Sequence, residues 1–117
     1  MFFLFNQEFV DWLRQAAHVK VLISVCTGAL LLGAAGFLQG NKATAHPYAY
    51  ELLGPYCDEA IKTRIVKDGN LITAGGVSTS IDLANYLAEL FIHPEAAAAF
   101  KKQIDYPYEA QRIIEVN

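Results

Sequence analysis

The sequence predicts an α/β domain with a mostly parallel sheet and one β-hairpin, and three observations point to it. Apolar runs of strand length alternate with stretches of helical period. Two of those runs pass directly into helices through small residues, at Cys26-Thr27-Gly28 and at Gly75-Gly76-Val77-Ser78. Asp68-Gly69-Asn70, set between two further apolar runs, reads as a hairpin turn. A chain of 117 residues, 54% hydrophobic and 18% charged, with no internal repeat, has the composition of one globular domain spanning 1–117.

The elements follow in order. Phe9, Val10, Leu13, Ala16 and Ala17 form a helical stripe over Gln7 to His18, with Asn6 as N-cap. Lys20 to Val25 is a continuous apolar strand of the kind that parallel sheets cover on both faces, and Thr27 to Ala35 is a short helix closed by Gly36. Asn41 to Ala45 forms a further short strand, after which Pro47 opens a segment through Leu53 that stops at Gly54-Pro55. His46 then lies where a strand ends and a helix begins. Lys62 to Val66 and Leu71 to Ala74 are the hairpin strands. A helix over about Thr79 to Phe91 buries Ile81, Leu83, Ala84, Leu87, Ala88 and Phe91, and Pro94 starts another that runs to about Ile104 and is ended by Tyr106-Pro107. The tail, 108–117, has no clear period and is expected to be irregular.

Composition also excludes functions. Nine basic residues stand against twelve acidic ones, a formal net charge of −3, and no Lys/Arg cluster supplies the electrostatic footprint of a nucleic-acid binder. The two cysteines, Cys26 and Cys57, form no CxxC pair and have no histidine at ligand spacing, so neither a metal site nor a disulfide framework is expected, and a reducing cytoplasm is the simplest setting. Val21 to Asn41 carries no charge and is long enough for a membrane span. Its strand-like start and its internal glycines read instead as a buried strand followed by a buried helix. Met1 to Phe5 has no basic region and meets Asn6, Gln7 and Glu8 too soon for a secretory signal.

Cys26 carries the main chemical signal. A cysteine between a buried strand and a helix, with Gly28 two positions on, sits on a sharp turn that lifts the sulfur above the carboxyl end of the sheet, where α/β ligand sites lie. The helix N-terminus favours thiolate, and the following N–H groups are placed to stabilise an oxyanion. A buried, inert thiol remains the competing reading, because free cysteine is among the most buried residue types.

The segments Ser24 to Gly40, Lys42 to His46, Val66 to Thr73 and Gly75 to Asp82 closely resemble, in order and spacing, the ThiJ/PfpI superfamily of class I glutamine amidotransferase-like proteins, and within it the isocyanide hydratase-like branch. The resemblance spans roughly Phe9 to Tyr106 and implies a partial flavodoxin-like domain. It makes Cys26 the nucleophile, with the Thr27 backbone as an oxyanion donor and Gly28, Gly75 and Gly76 around the substrate. His46 matches a histidine near the cysteine in several branches, either assisting proton transfer or neutral and structural. Two departures stand out. Thr44-Ala45-His46-Pro47 replaces the hydratase-like Thr-Thr-His-Trp. The family's first strands, its glycine-rich loop and the carboxylate that contacts the cysteine have no match, so the domain is expected to be N-terminally truncated.

The remaining polar residues have structural readings. Asp82 suits a helix N-terminus, Ser78 suits an N-cap, and Gly75-Gly76 is not a phosphate loop. Cys57 lies beside Asp58 and Glu59, which disfavour its thiolate, and His18 and His93 sit at helix ends in solvent. The resemblance implies a cysteine-dependent hydratase or hydrolase that turns isocyanides into N-substituted formamides, slow or inactive without the absent carboxylate. The alternatives are glyoxalase or deglycase chemistry, or a non-catalytic sensing or remnant domain. The expected ligand is a small molecule without cofactor. The expected partner is a second copy or a complementing N-terminal segment, not nucleic acid or membrane.

Overall fold

The computed structural model describes residues 6–117. The expected reading of Met1 to Phe5 as part of the domain falls outside the described residues. Helix α1 (Gln7–Leu13) begins at Asn6, whose Oδ1 accepts the Phe9 N–H at 2.9 Å, and continues as a 3-10 turn, Arg14–His18. Strand β1 (Leu22–Val25) leads into α2 (Gly28–Ala34), and β2 (Lys42–Ala43) leads through the 3-10 turn Pro47–Ala49 into α3 (Tyr50–Leu53). After a second 3-10 turn, Gly54–Tyr56, come β3 (Glu59–Ala60), the hairpin β4 (Ile65–Asp68) and β5 (Leu71–Ala74), α4 (Ser80–Phe91), α5 (Pro94–Gln103) and β6 (Ile113–Glu115).

The main sheet has the order β1-β5-β4-β6, and β2 pairs with β3 separately. Only the β4–β5 hairpin is antiparallel. β1 with β5, β4 with β6, and β2 with β3 all run parallel. The mostly parallel α/β architecture read from the sequence is therefore the one observed. Among the described residues, no helix is long and apolar enough to cross a membrane.

Alternation along β5 assigns its faces. Leu71 points into a core with Leu30, Leu38, Ala43 and Leu53 beneath α2 and α3, whereas Ile72 and Ala74 point into a second core with Ile65, Leu83 and Tyr86 beneath α4. Full burial of a leucine such as Leu30 or Leu38 stabilises the fold by about 1.5–3 kcal/mol. The covering is incomplete at β1. Ile23, level with Ile72 on the α4 face, is 42% exposed, so the expectation of a strand covered on both faces fails at that position.

Close packing fixes the seat of α2. A Cβ at Gly33 would lie 2.7 Å from the Tyr56 Cβ, so only glycine admits the Gly54–Tyr56 turn at that distance. Gly36, with φ 91, closes the helix as expected.

Four local expectations need correction. Ile81, Ala84 and Phe91 of α4 are exposed rather than buried, because the core beneath that helix takes Leu83, Tyr86 and Leu87. The first hairpin strand is Ile65–Asp68 rather than Lys62 to Val66, because Thr63 is held by side-chain bonds instead: Thr44 Oγ1 donates to its carbonyl at 2.9 Å and its own hydroxyl donates to the Arg112 carbonyl. Ser78 is not an N-cap; it lies within the 3-10 turn Val77–Thr79, and Thr79 precedes α4 without a side-chain cap bond. The tail is not irregular throughout, since Ile113–Glu115 adds a strand beside β4. Long-range bonds hold that strand, including the Asn117 side-chain amide to Asp68 at 2.7 Å, and no local pattern announces them.

Candidate active site

β1, β2 and β5 all end on the same side of the molecule, and the residues that follow them are joined through the backbone. The Cys26 N–H donates to the carbonyls of Ala74, at 3.0 Å, and Gly75, at 2.6 Å, while the Cys26 carbonyl accepts the His46 N–H at 3.2 Å. The ends of three strands are thus tied at one cysteine. Cys26 itself has φ 62, in the left-handed region that non-glycine residues seldom occupy, and it is partly exposed. A strained residue held by three backbone bonds between a strand and a helix is the geometry of a nucleophile elbow.

His46 is set by its position as cap. Its Nδ1 accepts the Tyr48 N–H at 3.1 Å, so in the neutral ring the proton is on Nε2. The Tyr48 ring lies 4.9 Å from the imidazole, centroid to centroid, and is itself 93% exposed. On its other side the imidazole faces Gly76: a Cβ there would sit 3.5 Å from His46 Cδ2 and 3.9 Å from Nε2. Gly76 therefore touches the histidine and Gly75 touches the cysteine. Thr27 is exposed and caps α2 without a side-chain bond, so its N–H and that of Gly28 belong to the first turn, which has no intrahelical acceptor. Cys26, Thr27, Gly28, His46, Gly75 and Gly76, all singled out from the sequence, occupy one neighbourhood.

Other residues separate from it. Cys57 lies in the loop before β3, with Sγ 3.5 Å from the Leu53 carbonyl, and burial pushes its thiol pKa up against an opposing backbone hydrogen bond at Glu59, with smaller upward contributions from the Asp58 and then the Glu59 charge. The direction agrees with the sequence, but burial is the larger cause. His93 caps α5, its Nδ1 accepting the Ala96 N–H at 3.0 Å. Asp82 is buried, with Oδ2 3.2 Å from Arg64 and Oδ1 accepting the Tyr106 hydroxyl at 2.9 Å. Among the described residues no group of acidic, histidine and cysteine side chains could hold a metal ion.

Sequence reasoning missed Ser24 in this neighbourhood. Its hydroxyl is buried two residues before Cys26, makes no hydrogen bond among the described residues, and its Cβ lies 3.7 Å from where a Cβ on Gly28 would be. A serine within an apolar strand was the available signal.

Known proteins resemble the chain in sequence and in fold. A family model described as the DJ-1/PfpI family matches residues 4–90. Isonitrile hydratase of Pseudomonas putida is 41% identical over 102 residues, which make up 86% of this chain and 45% of that protein. Protein DJ-1 homolog A of Arabidopsis thaliana is 38% identical over 72 residues, 62% of this chain and 18% of its own. Among solved structures, a THiJ/PfpI family protein from Pseudomonas syringae superposes with a TM-score of 0.82 at 30% identity, covering 88% of this chain and 43% of that one. Toxoplasma gondii DJ-1, in its oxidized form, gives 0.72 at 27% identity over 85% of this chain and 54% of its own. The chain spans less than half the length of the curated relatives it matches.

Proposed function

The chain belongs to the DJ-1/PfpI family, and from that premise we propose that it is a cysteine-dependent hydratase or hydrolase whose nucleophile is Cys26. The observation that carries the reading is the left-handed backbone of Cys26 where the ends of β1, β2 and β5 meet. The 41% identity to an isonitrile hydratase supports isocyanides as substrates.

In the proposed reaction the Cys26 thiolate adds to the terminal carbon of R–N≡C, and that carbon takes up a proton, giving a thioimidate, R–N=CH–S–Cys26. Water then adds to the same carbon, the thiolate leaves, and the product is the formamide R–NH–CHO. Substrate and one water account for every atom, and no oxidant or reductant is needed. The N–H groups of Thr27 and Gly28 would face charge that develops at the adduct, with Gly75 and Gly76 as the bare wall of the site. His46, with its proton on Nε2, is the proposed donor. Among the described residues no carboxylate hydrogen-bonds Cys26. A positioned acid or base is typically worth about 10²–10⁴ in rate, so the chain alone is expected to turn over slowly and an added carboxylate-bearing segment to accelerate it.

We further propose that the single domain works with a second polypeptide surface, either another copy or a complementing segment. The exposed Ile23 on β1 supports this, as does the additional length of the relatives. The setting is proposed to be cytoplasmic, in keeping with two free cysteines.

The test is formamide production from an aryl isocyanide by the chain and by its Cys26→Ser and His46→Ala variants, with sedimentation run in parallel. Cys26-dependent formamide is the expected result. Consumption of methylglyoxal in its place, dependent on Cys26, would transfer the assignment to the alternative glyoxalase or deglycase chemistry. Indifference of every activity to Cys26→Ser would leave the non-catalytic reading.

A further inference from the structure

β5 lies between β1 and β4, so its end has two sides. The Gly75 carbonyl meets Cys26 on the β1 side, while the Gly75 N–H donates to the Arg64 carbonyl, at 2.8 Å, on the β4 side. On that second side is a cavity of about 170 Å³ whose lining includes Arg64, Arg112, Gly76, Ser78 and Pro47. We propose that this cavity binds a small oxyanion, the carboxylate or phosphate group of a compact acid.

Its two cations are delivered by unlike means. Arg64 precedes β4 and uses one guanidinium nitrogen, Nη2, on the Ser78 carbonyl and on Asp82, leaving Nε and Nη1 without hydrogen bonds among the described residues. Arg112 arrives from the tail in a left-handed conformation, φ 59. Its carbonyl accepts the N–H groups of Arg64 and Ile65, at 3.2 and 3.3 Å, together with the Thr63 hydroxyl, which over-determines the strained backbone and holds the side chain at the cavity. The Arg112 guanidinium donates to the Lys62 carbonyl at 3.0 Å and has no acidic partner among the described residues.

Charge and size select the ligand. Two guanidinium groups face one carboxylate, Asp82, so the cavity keeps a positive charge and several unused N–H donors in the planar array that matches oxyanions. At about 30 Å³ per water molecule, the cavity holds roughly five or six water volumes, well under the ~300 Å³ at which pockets begin to enclose drug-sized ligands. An apolar or cationic guest would leave the arginines unpaired. Gly76 is shared with the Cys26 side, where it meets the His46 ring.

The test is an NMR titration of the full chain with inorganic phosphate and, separately, with acetate, at constant ionic strength. Expected are saturable shifts of the Gly75, Gly76, Ser78 and Thr79 amides. Roughly tenfold or greater weakening is expected in Arg112→Gln, with Arg112→Lys in between. The Arg112 backbone carbonyl survives in both variants, and circular dichroism checks that they fold. Saturation by phosphate alone assigns the site to phosphate groups, and saturation by acetate assigns it to carboxylates. No saturable shift with either anion up to about 50 mM, a free energy weaker than about −1.8 kcal/mol, would overturn the proposal. So would an unchanged affinity in folded Arg112→Gln.

Discussion

Removing either partner of the Arg64–Asp82 pair should destabilise the protein, but not equally. The two side chains are 3.2 Å apart and unequally buried: that of Asp82 is 8% exposed and that of Arg64 is 32% exposed. Arg64→Ala leaves a carboxylate enclosed by protein, with the Tyr106 hydroxyl as its remaining side-chain donor. Breaking a buried pair in this way costs about 3–5 kcal/mol, and the partial exposure of Arg64 puts the expectation near the lower figure. Asp82→Ala removes the bonds from Arg64 and from the Tyr106 hydroxyl, but both donors are partly open to water and the guanidinium keeps the Ser78 carbonyl, so the loss is expected closer to that of one charged hydrogen bond, about 1.5–2 kcal/mol. Urea unfolding reads the difference as a larger fall in midpoint for Arg64→Ala at unchanged slope. A double variant, Arg64→Met with Asp82→Leu, should recover most of the loss, because the stranded charge is then gone. Equal losses, or the greater loss in Asp82→Ala, would refute the argument from unequal burial.

Gly33→Ala should destabilise despite the gain of about 1 kcal/mol in helix propensity, since the new methyl would meet Tyr56 at 2.7 Å and overpacking of that kind costs about 1–3 kcal/mol; thermal unfolding gives the sign. The Tyr86 hydroxyl, buried without a well-formed hydrogen bond, has its pKa pushed up to about 12 by burial first and then by the nearby Glu115 carboxylate. The folded state therefore keeps a proton that the unfolded chain releases near pH 10, and stability should fall between about pH 10 and 12 by an amount that Tyr86→Phe abolishes. Iodoacetamide at neutral pH should label Cys26 before Cys57, whose thiol burial holds in its protonated form; mass spectrometry of the folded protein that found Cys57 first would contradict the elbow.

Much of the architecture was legible because its signals are local. Asn6 caps the first helix, Gly36 ends the second, and the two-residue loop after Asp68 turns the hairpin, each through residues next to one another in sequence. The misplaced parts depend on distant partners. Thr63 leaves the strand because Arg112, 49 residues away, accepts its hydroxyl bond. The tail becomes a strand because Lys67 and Asp68 bind Asn117. The two-residue strands β2 and β3 exist only through their mutual pairing, and a window around Glu59 contains no sign of it. The same division runs through the sites: Cys26 was legible from its neighbours, whereas Arg64 and Arg112 are 48 positions apart and meet only through the β4–β6 pairing.

Backbone bonds, rather than side-chain ones, hold Cys26, and this bears on what a chain that matches less than half the length of its curated relatives can do. Its conformation depends on the carbonyls of Ala74 and Gly75 and on the N–H of His46, contributed by strand ends that lie within this chain. A cysteine fixed by its own side chain would lose its pose with each lost neighbour. Here the sulfur makes no hydrogen bond among the described residues, and Cys26→Ser should preserve the turn while removing the thiol. What the backbone cannot supply is a proton donor of suitable strength, and His46 is the imidazole that the β2 end brings to that turn. In the proposed reaction, placement of the nucleophile and delivery of the proton are therefore separable. The first rests on three strands present here; the second rests on one histidine, or on a surface contributed by a partner.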